Sequence, residues 1–262
     1  MIISPNRRFV FVHVHKCAGT SIETSLAEVL GVNDLVIGST ADGEKHKTFF
    51  FELLKLRKHS SAAEAREVLG EARWKTYFTF AFVRHPVDRL RSLYAYARGL
   101  AARNPLDANE AAAFRANGAL PARVPYKFKA VQAAFTAKDF DAFVRNPRVW
   151  QDAGAKPQWQ AVCDAEGEQL VDFIGKVEHI DRDWDKVAKR LKISATLGVQ
   201  NKSPQVDPQD LSPEAWALIR KHYLRDFKLF GYAVPPDLAA AKPPGAKGAG
   251  GKPAAKPAAK PL

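Results

Sequence analysis

Lys16, Gly19, Thr20 and Ser21 stand together in the stretch HVHKCAGTS, between an apolar run and a periodic segment. A cation, two small residues (Cys17 and Ala18), a glycine and two hydroxyls at the start of a helix suit a phosphate or sulfate group. Backbone N–H groups at a helix N-terminus are unsatisfied donors in a positive local field. Gly19 permits close approach, Thr20 and Ser21 add hydroxyl donors, and Lys16 supplies a point charge. The same residues also make a tight strand-to-helix turn in which Thr20 acts only as the helix cap, and the stretch alone leaves both readings open. The triphosphate loop GxxxxGK[ST] is excluded by residue order, because it sets Lys after its glycines whereas Lys16 precedes Gly19.

A second candidate is FAFVRHPVDRLRSLY, where Arg84 leaves the end of an apolar run and Ser92 follows on the next helix. The guanidinium is a planar fork of donors matched to a phosphate monoester, and the Ser92 hydroxyl adds one more. Both can reach one anion in the crevice at the carboxyl ends of parallel strands. Arg89 and Arg91 read instead as surface partners of Asp88 or nearby Glu residues.

The elements that must position these groups are legible. FVFVHV at 9–14 reads as a strand, KCAGTS as a loop, and IETSLAEVL as a helix, with Thr20 and Glu23 fitting a capping box and Gly31 a C-terminal stop. YFTFAFV at 77–83 is a near-continuous buried strand, followed by RHP and the helix DRLRSLYAYARGLAA. Continuous apolar strands predict an α/β domain with a central parallel sheet covered on both faces. Between these units, 48–58 and a segment opening with the Ser61–Glu64 capping box read as helices, and 127–145 as a further helical stretch. Residues 104–125 read as loop. LVDFIGKVEHI reads as a strand, DRDWDKVAKRLKI as a helix, and Ser212 with Pro213 opens the last helix.

The chain has 262 residues with 40 Lys plus Arg against 28 Asp plus Glu, a formal charge of +12 that favours anionic partners. A hydrophobic content of 46% is enough for the core of a large domain and excludes wholesale disorder. After Asp237 the sequence contains only Ala, Lys, Pro, Gly and Leu, and its lysines 242, 247, 252, 256 and 260 have no acidic counterpart. Such a segment cannot bury a core, so a folded domain is expected over 1–234 and a disordered tail over 235–262. No apolar run is long enough for a bilayer span, and His and Lys interrupt the first run too early for a signal peptide, which leads to a cytoplasmic expectation. Two cysteines, Cys17 and Cys163, make no disulfide framework and no metal-ligand spacing with the seven histidines, so no metal is expected.

Taken together, HVHKCAGTS and FAFVRHPVDRLRSLY resemble, in content and order, the 5′-phosphosulfate loop and the 3′-phosphate motif of sulfotransferases that use 3′-phosphoadenosine 5′-phosphosulfate, in particular the carbohydrate sulfotransferases and their bacterial relatives. VDFIGKVEHIDRDWDKVAKRL is similar to that family's later strand-helix segment, and YLRDFKLFGY to its C-terminal ending. One departure is His15, where the family usually has Pro. The resemblance implies a three-layer αβα fold related to the P-loop NTPases. It also implies that Lys16, Cys17, Ala18, Gly19, Thr20 and Ser21 bind the phosphosulfate and that Arg84 and Ser92 bind the 3′-phosphate. Lys16 would neutralise charge on the leaving oxygen, and the acceptor would be a hydroxyl of a glycan or glycolipid.

An acceptor hydroxyl needs a base, and His has the best unperturbed pKa for that work. His46, in KHKTFFFEL, resembles the segment that supplies the catalytic histidine in some glycan sulfotransferases, with Glu52 in reserve. His13 points into a buried strand and reads as structural, and His59 and His85 as surface or packing residues. Trp150, Trp159 and Trp184 read as core, Phe49 to Phe51 as packing, and Asn201, Lys202 and Ser203 as a polar loop able to close over a nucleotide.

Two other functions compete. A phosphotransferase of P-loop type is disfavoured by the missing GKS or GKT and by the lack of an acidic Mg²⁺ strand motif. A non-catalytic polyanion binder would use the basic tail, but without aromatics that tail reads as a solubilising extension and not as a dedicated nucleic-acid arm.

Overall fold

In a computed structural model of the chain, which describes residues 1–198 and 211–235, the run FVFV becomes a fully buried strand at the centre of a five-stranded sheet. The strands are β1 (Ile2–Ser4), β2 (Phe9–Val12), β3 (Leu35–Val36), β4 (Phe78–Val83) and β5 (Phe173–Lys176), in the order β3-β1-β2-β4-β5. β2, β4 and β5 are parallel, with Val12 opposite Ala81 and Val83 opposite Lys176. β1 runs antiparallel to both β2 and β3, so the sheet is mixed where a parallel one was expected. The physical reason is connection length: four residues, with Arg8 at φ 51, turn β1 directly into β2, whereas parallel neighbours need a long crossover.

The helices are α1 (Gly19–Ala27), α2 (Ala41–Lys45), α3 (Lys47–Leu54), α4 (Ala62–Leu69), α5 (Glu71–Trp74), α6 (Pro86–Arg103) and α7 (Ala108–Asn117). They continue with α8 (Lys129–Thr136), α9 (Phe140–Arg145), α10 (Pro147–Trp150), α11 (Trp159–Val162), α12 (Ile180–Leu191) and α13 (Pro213–Leu229). Alternation along the strands sorts the core. Phe9, Phe11, Phe80 and Phe82 pack with Ile22 and Leu26 of α1 and Trp184 of α12. Val10, Val12, Ala81 and Val83 pack with Ala62 of α4, Trp74 and Val162. A further core joins α6, α8, α9 and α13 through Leu90, Ala130, Phe143 and Tyr223.

Several local expectations are corrected. The stretch 127–145 is two helices, because Ala137 is extended and the Asp139 side chain accepts from the Ala142 N–H to start α9. Within 104–125, read as loop, α7 forms between a reciprocal Asp107–Glu110 capping box and Gly118 at φ 71. The helix expected over 48–58 stops at Leu54, where Lys55 turns left-handed. It has no buried residue, and Phe49 is 58% exposed, so only part of the phenylalanine run packs. The Ser61–Glu64 box and the Ser212 cap form as the sequence predicts. Asn201, Lys202 and Ser203 and the segment after Asp237 lie outside the described residues.

Candidate active site

The loop after β2 reaches α1 by an unusual backbone path: Lys16 (φ 63) and Ala18 (φ 59) are both left-handed, a conformation that costs an L-residue about 1–2 kcal/mol. α1 begins at Gly19 directly behind Ala18, and no side chain caps it. The Thr20–Glu23 box therefore does not exist, and α1 ends at Ala27, before Gly31. Glu23 is drawn inward instead, fully buried, where it meets the Met1 ammonium and lies 2.9 Å from His13 Nδ1. The first N–H groups of α1 are left to face the loop uncapped, the arrangement that receives anions. Gly19 is required for a reason the sequence hid: a Cβ there would sit 2.1 Å from the His13 ring.

Because β2 and β4 are parallel neighbours, the loop carrying Lys16 and the turn carrying Arg84 leave the sheet at the same edge. Gln158, buried and without any warning in the sequence, joins them. Its Oε1 accepts from the Arg84 N–H at 2.8 Å and from Cys17 Sγ at 3.1 Å, and its Nε2 donates to the Arg84 carbonyl at 2.8 Å. Gln158 is held in turn by Asp226, a fully buried carboxylate that accepts from the Gln158 and Trp159 N–H groups. Burial raises the Asp226 pKa, offset in part by Arg89. Arg89, expected at the surface, is buried: Nη1 and Nη2 donate to the carbonyls of Gly154 and Lys156 and so fix the chain leading to Gln158. Arg91 does bond Asp88 at 3.1 Å, but it too is buried.

Lys16 projects over α6, its Nζ 4.0 Å from the centre of the Tyr96 ring. Ser92 lies one turn before Tyr96, on the same face of α6. Burial, and then the charge of Arg84, pull Lys16 down to about 8 from its ordinary 10.5. Two cations brought together in a partly desolvated crevice make a field that an anion relieves. Cys17, wholly buried beneath the loop, is raised by burial to about 12 and is a packed thiol at neutral pH.

The histidines divide sharply. His46 is exposed at the α2–α3 junction, with Nδ1 2.9 Å from the Asp42 carbonyl oxygen and its ring edge-on to Phe50; Glu52 is exposed on α3. Among the described residues, no hydrogen bond, ion pair or ring contact joins His46 to the loop after β2. His59 does: its Nδ1 lies 2.9 Å from the His13 carbonyl oxygen, and its ring stacks on His15, the residue before Lys16. His85 packs edge-on against Phe227 and Tyr232, and its N–H donates to Glu178, which also accepts from the Tyr232 hydroxyl. Trp184 is buried, Trp159 lies under Arg225, and Trp150 stacks on His222. Gln158 and Tyr96 carried no sequence signal, because each is an isolated residue brought to the sheet edge only by tertiary packing; Glu178 and Tyr232 lie in VDFIGKVEHIDRDWDKVAKRL and YLRDFKLFGY, stretches that resemble the family, but nothing in those stretches marked them individually.

A family model described as Sulfotransferase family matches residues 1–233. No curated protein and no solved structure matches the chain.

Proposed function

The chain belongs to the sulfotransferase family, and on that footing we propose that it moves a sulfuryl group from 3′-phosphoadenosine 5′-phosphosulfate to a hydroxyl of a glycan or glycolipid acceptor by in-line displacement. The observation that carries this reading is the placing of Lys16 and Arg84 at one sheet edge, beside the uncapped N-terminus of α1, with Gln158 tying their turns together through Cys17 Sγ and the Arg84 backbone. The donor's two anionic ends need two separate cationic sites a fixed distance apart, and no carboxylate occurs among residues 15–21 to oppose them. The mixed sheet with helices packed on both of its faces is compatible with the three-layer, P-loop-related fold that this reading carries.

In this reaction the N–H groups of Gly19, Thr20 and Ser21, with Cys17 and Ala18 lining the loop, hold the phosphosulfate oxygens. Arg84 and Ser92 hold the 3′-phosphate. Lys16 neutralises the phosphate oxygen from which sulfur departs; electrostatic stabilisation of this kind is worth about 3–4 kcal/mol for a single well-placed donor. As that S–O bond breaks and a bond from sulfur to the acceptor oxygen forms, the acceptor's proton passes to a histidine, leaving a sulfate ester and 3′-phosphoadenosine 5′-phosphate. We assign the proton to His59 rather than His46. The His13 carbonyl can only accept, so His59 Nδ1 bears hydrogen and Nε2 keeps its lone pair, and His59 stands beside the loop that holds the transferring group. No metal enters this scheme. Among the described residues no helix is long and apolar enough to cross a membrane.

Calorimetric titration of 3′-phosphoadenosine 5′-phosphate, with ATP as control, tests the donor site without knowledge of the acceptor. Selective binding of the 3′-phosphorylated nucleotide, weakened roughly 10- to 100-fold in Arg84→Ala, is expected from loss of a charge-assisted contact. Preference for ATP would favour a phosphotransferase. Equal weak binding of both, lost at high salt, would favour a plain polyanion binder. His59→Ala and His46→Ala are compared in the same series: loss of turnover with nucleotide affinity retained identifies the base.

A further inference from the structure

His15 has no task in the reaction as set out above, yet its ring lies flat on His59, with centroids 3.5 Å apart and planes 25° from parallel. His59 has one hydrogen-bonding anchor, at Nδ1, and the His13 ring meets its edge at 4.6 Å. His13 is itself buried, 4% exposed, against Glu23 on one side and Gly19 on the other. A single hydrogen bond selects the tautomer but leaves the ring free to rock about that bond. The flat contact with His15 removes this freedom.

We propose that His15 is a positioning residue: stacked on His59, it fixes the plane of that imidazole so that the Nε2 lone pair is held ready for the acceptor hydroxyl beside Lys16. This inference rests on the assignment of the acceptor's proton to His59.

The surroundings support it. Lys16 follows His15, Lys58 precedes His59, the Arg89 guanidinium lies near His15, and the Met1 ammonium and Glu23 sit across His13. Burial first, and then the neighbouring histidines and cations, push His15 down to about 2 and His59 to about 3. Both rings are therefore neutral in the resting protein, and two imidazoles stacked so closely cannot both become imidazolium cations. The proton received in turnover thus resides on one ring only.

Long-range ¹H–¹⁵N spectra of the full chain labelled at histidine test the proposal without an acceptor. Wild type should show His59 as the single Nδ1–H tautomer, neutral down to acid pH. In His15→Ala, mixed tautomers and a titration moved up towards the ordinary histidine range are expected; in His15→Phe, which keeps the flat contact, the single tautomer should persist. Donor hydrolysis, with water in the acceptor's place, should fall roughly 10- to 100-fold in His15→Ala and recover in His15→Phe, with affinity for 3′-phosphoadenosine 5′-phosphate unchanged. An unaltered His59 tautomer and titration in His15→Ala would overturn the positioning role. Undiminished hydrolysis in His59→Ala would instead overturn the choice of base, so the two failures are distinct.

Discussion

Gln158 and the backbone of Arg84 hold each other twice, the Arg84 N–H donating to Oε1 and Nε2 donating to the Arg84 carbonyl, both at 2.8 Å. With Cys17 Sγ on the same Oε1, one carboxamide ties together the turn after β2 and the turn after β4. Gln158→Leu leaves the Arg84 N–H and carbonyl unpaired in a part-buried place, which costs about 1–2 kcal/mol. The variant should unfold at lower temperature and bind 3′-phosphoadenosine 5′-phosphate more weakly, whereas a purely structural glutamine would affect the first measurement alone.

Ala18 and Gly19 should respond in opposite senses to exchange. Ala18→Gly relieves a left-handed alanine and is expected to raise stability by up to about 1 kcal/mol. Gly19→Ala drives a methyl group into the His13 ring and should cost at least about 1–3 kcal/mol, displacing the start of α1. Thermal unfolding of the two variants, measured side by side, checks the pair.

Lys16 makes nucleotide binding pH-dependent. Its pKa is lower in the folded chain, about 8, than in the unfolded chain, near 10.5, so between those values the unfolded state carries the extra proton. The charge therefore disfavours folding fully below pH 8, and that cost is relieved as pH rises through the window. A bound anion reverses the preference and draws a proton back onto Lys16. Affinity for 3′-phosphoadenosine 5′-phosphate should decline above pH 8. Calorimetry just above that pH, in buffers of different ionisation heat, should record proton uptake that Lys16→Met abolishes.

Arg89 acts beneath the site. Arg89→Met removes the donors to the Gly154 and Lys156 carbonyls and leaves Asp226 buried without its nearby cation. A loss of roughly 3–5 kcal/mol is expected in chemical denaturation, the scale of two buried hydrogen bonds from a charged donor. A shift of only a few tenths would mean that the guanidinium is readily replaced by water.

The sequence alone determined the two candidate anion-binding stretches, the strands that deliver them and several helix starts, because these depend on local order: an apolar run, a small-residue turn, a capping pair. Local order also misled. Thr20 and Glu23 have capping-box spacing, but Glu23 is turned into the interior, where the buried Met1 amino group and His13 receive it and no cap forms. Arg89 sits in a charged stretch beside Asp88, yet two carbonyls from a distant segment receive it in the interior. Only tertiary structure decided that β1 lies antiparallel at the side of β2, that Gln158 ties Cys17 to Arg84, and that His59 rather than His46 stands against the loop. Each of those is a contact between groups far apart in the chain, and it becomes a neighbourly one only when burying both faces of the sheet brings the turns at its carboxyl edge together.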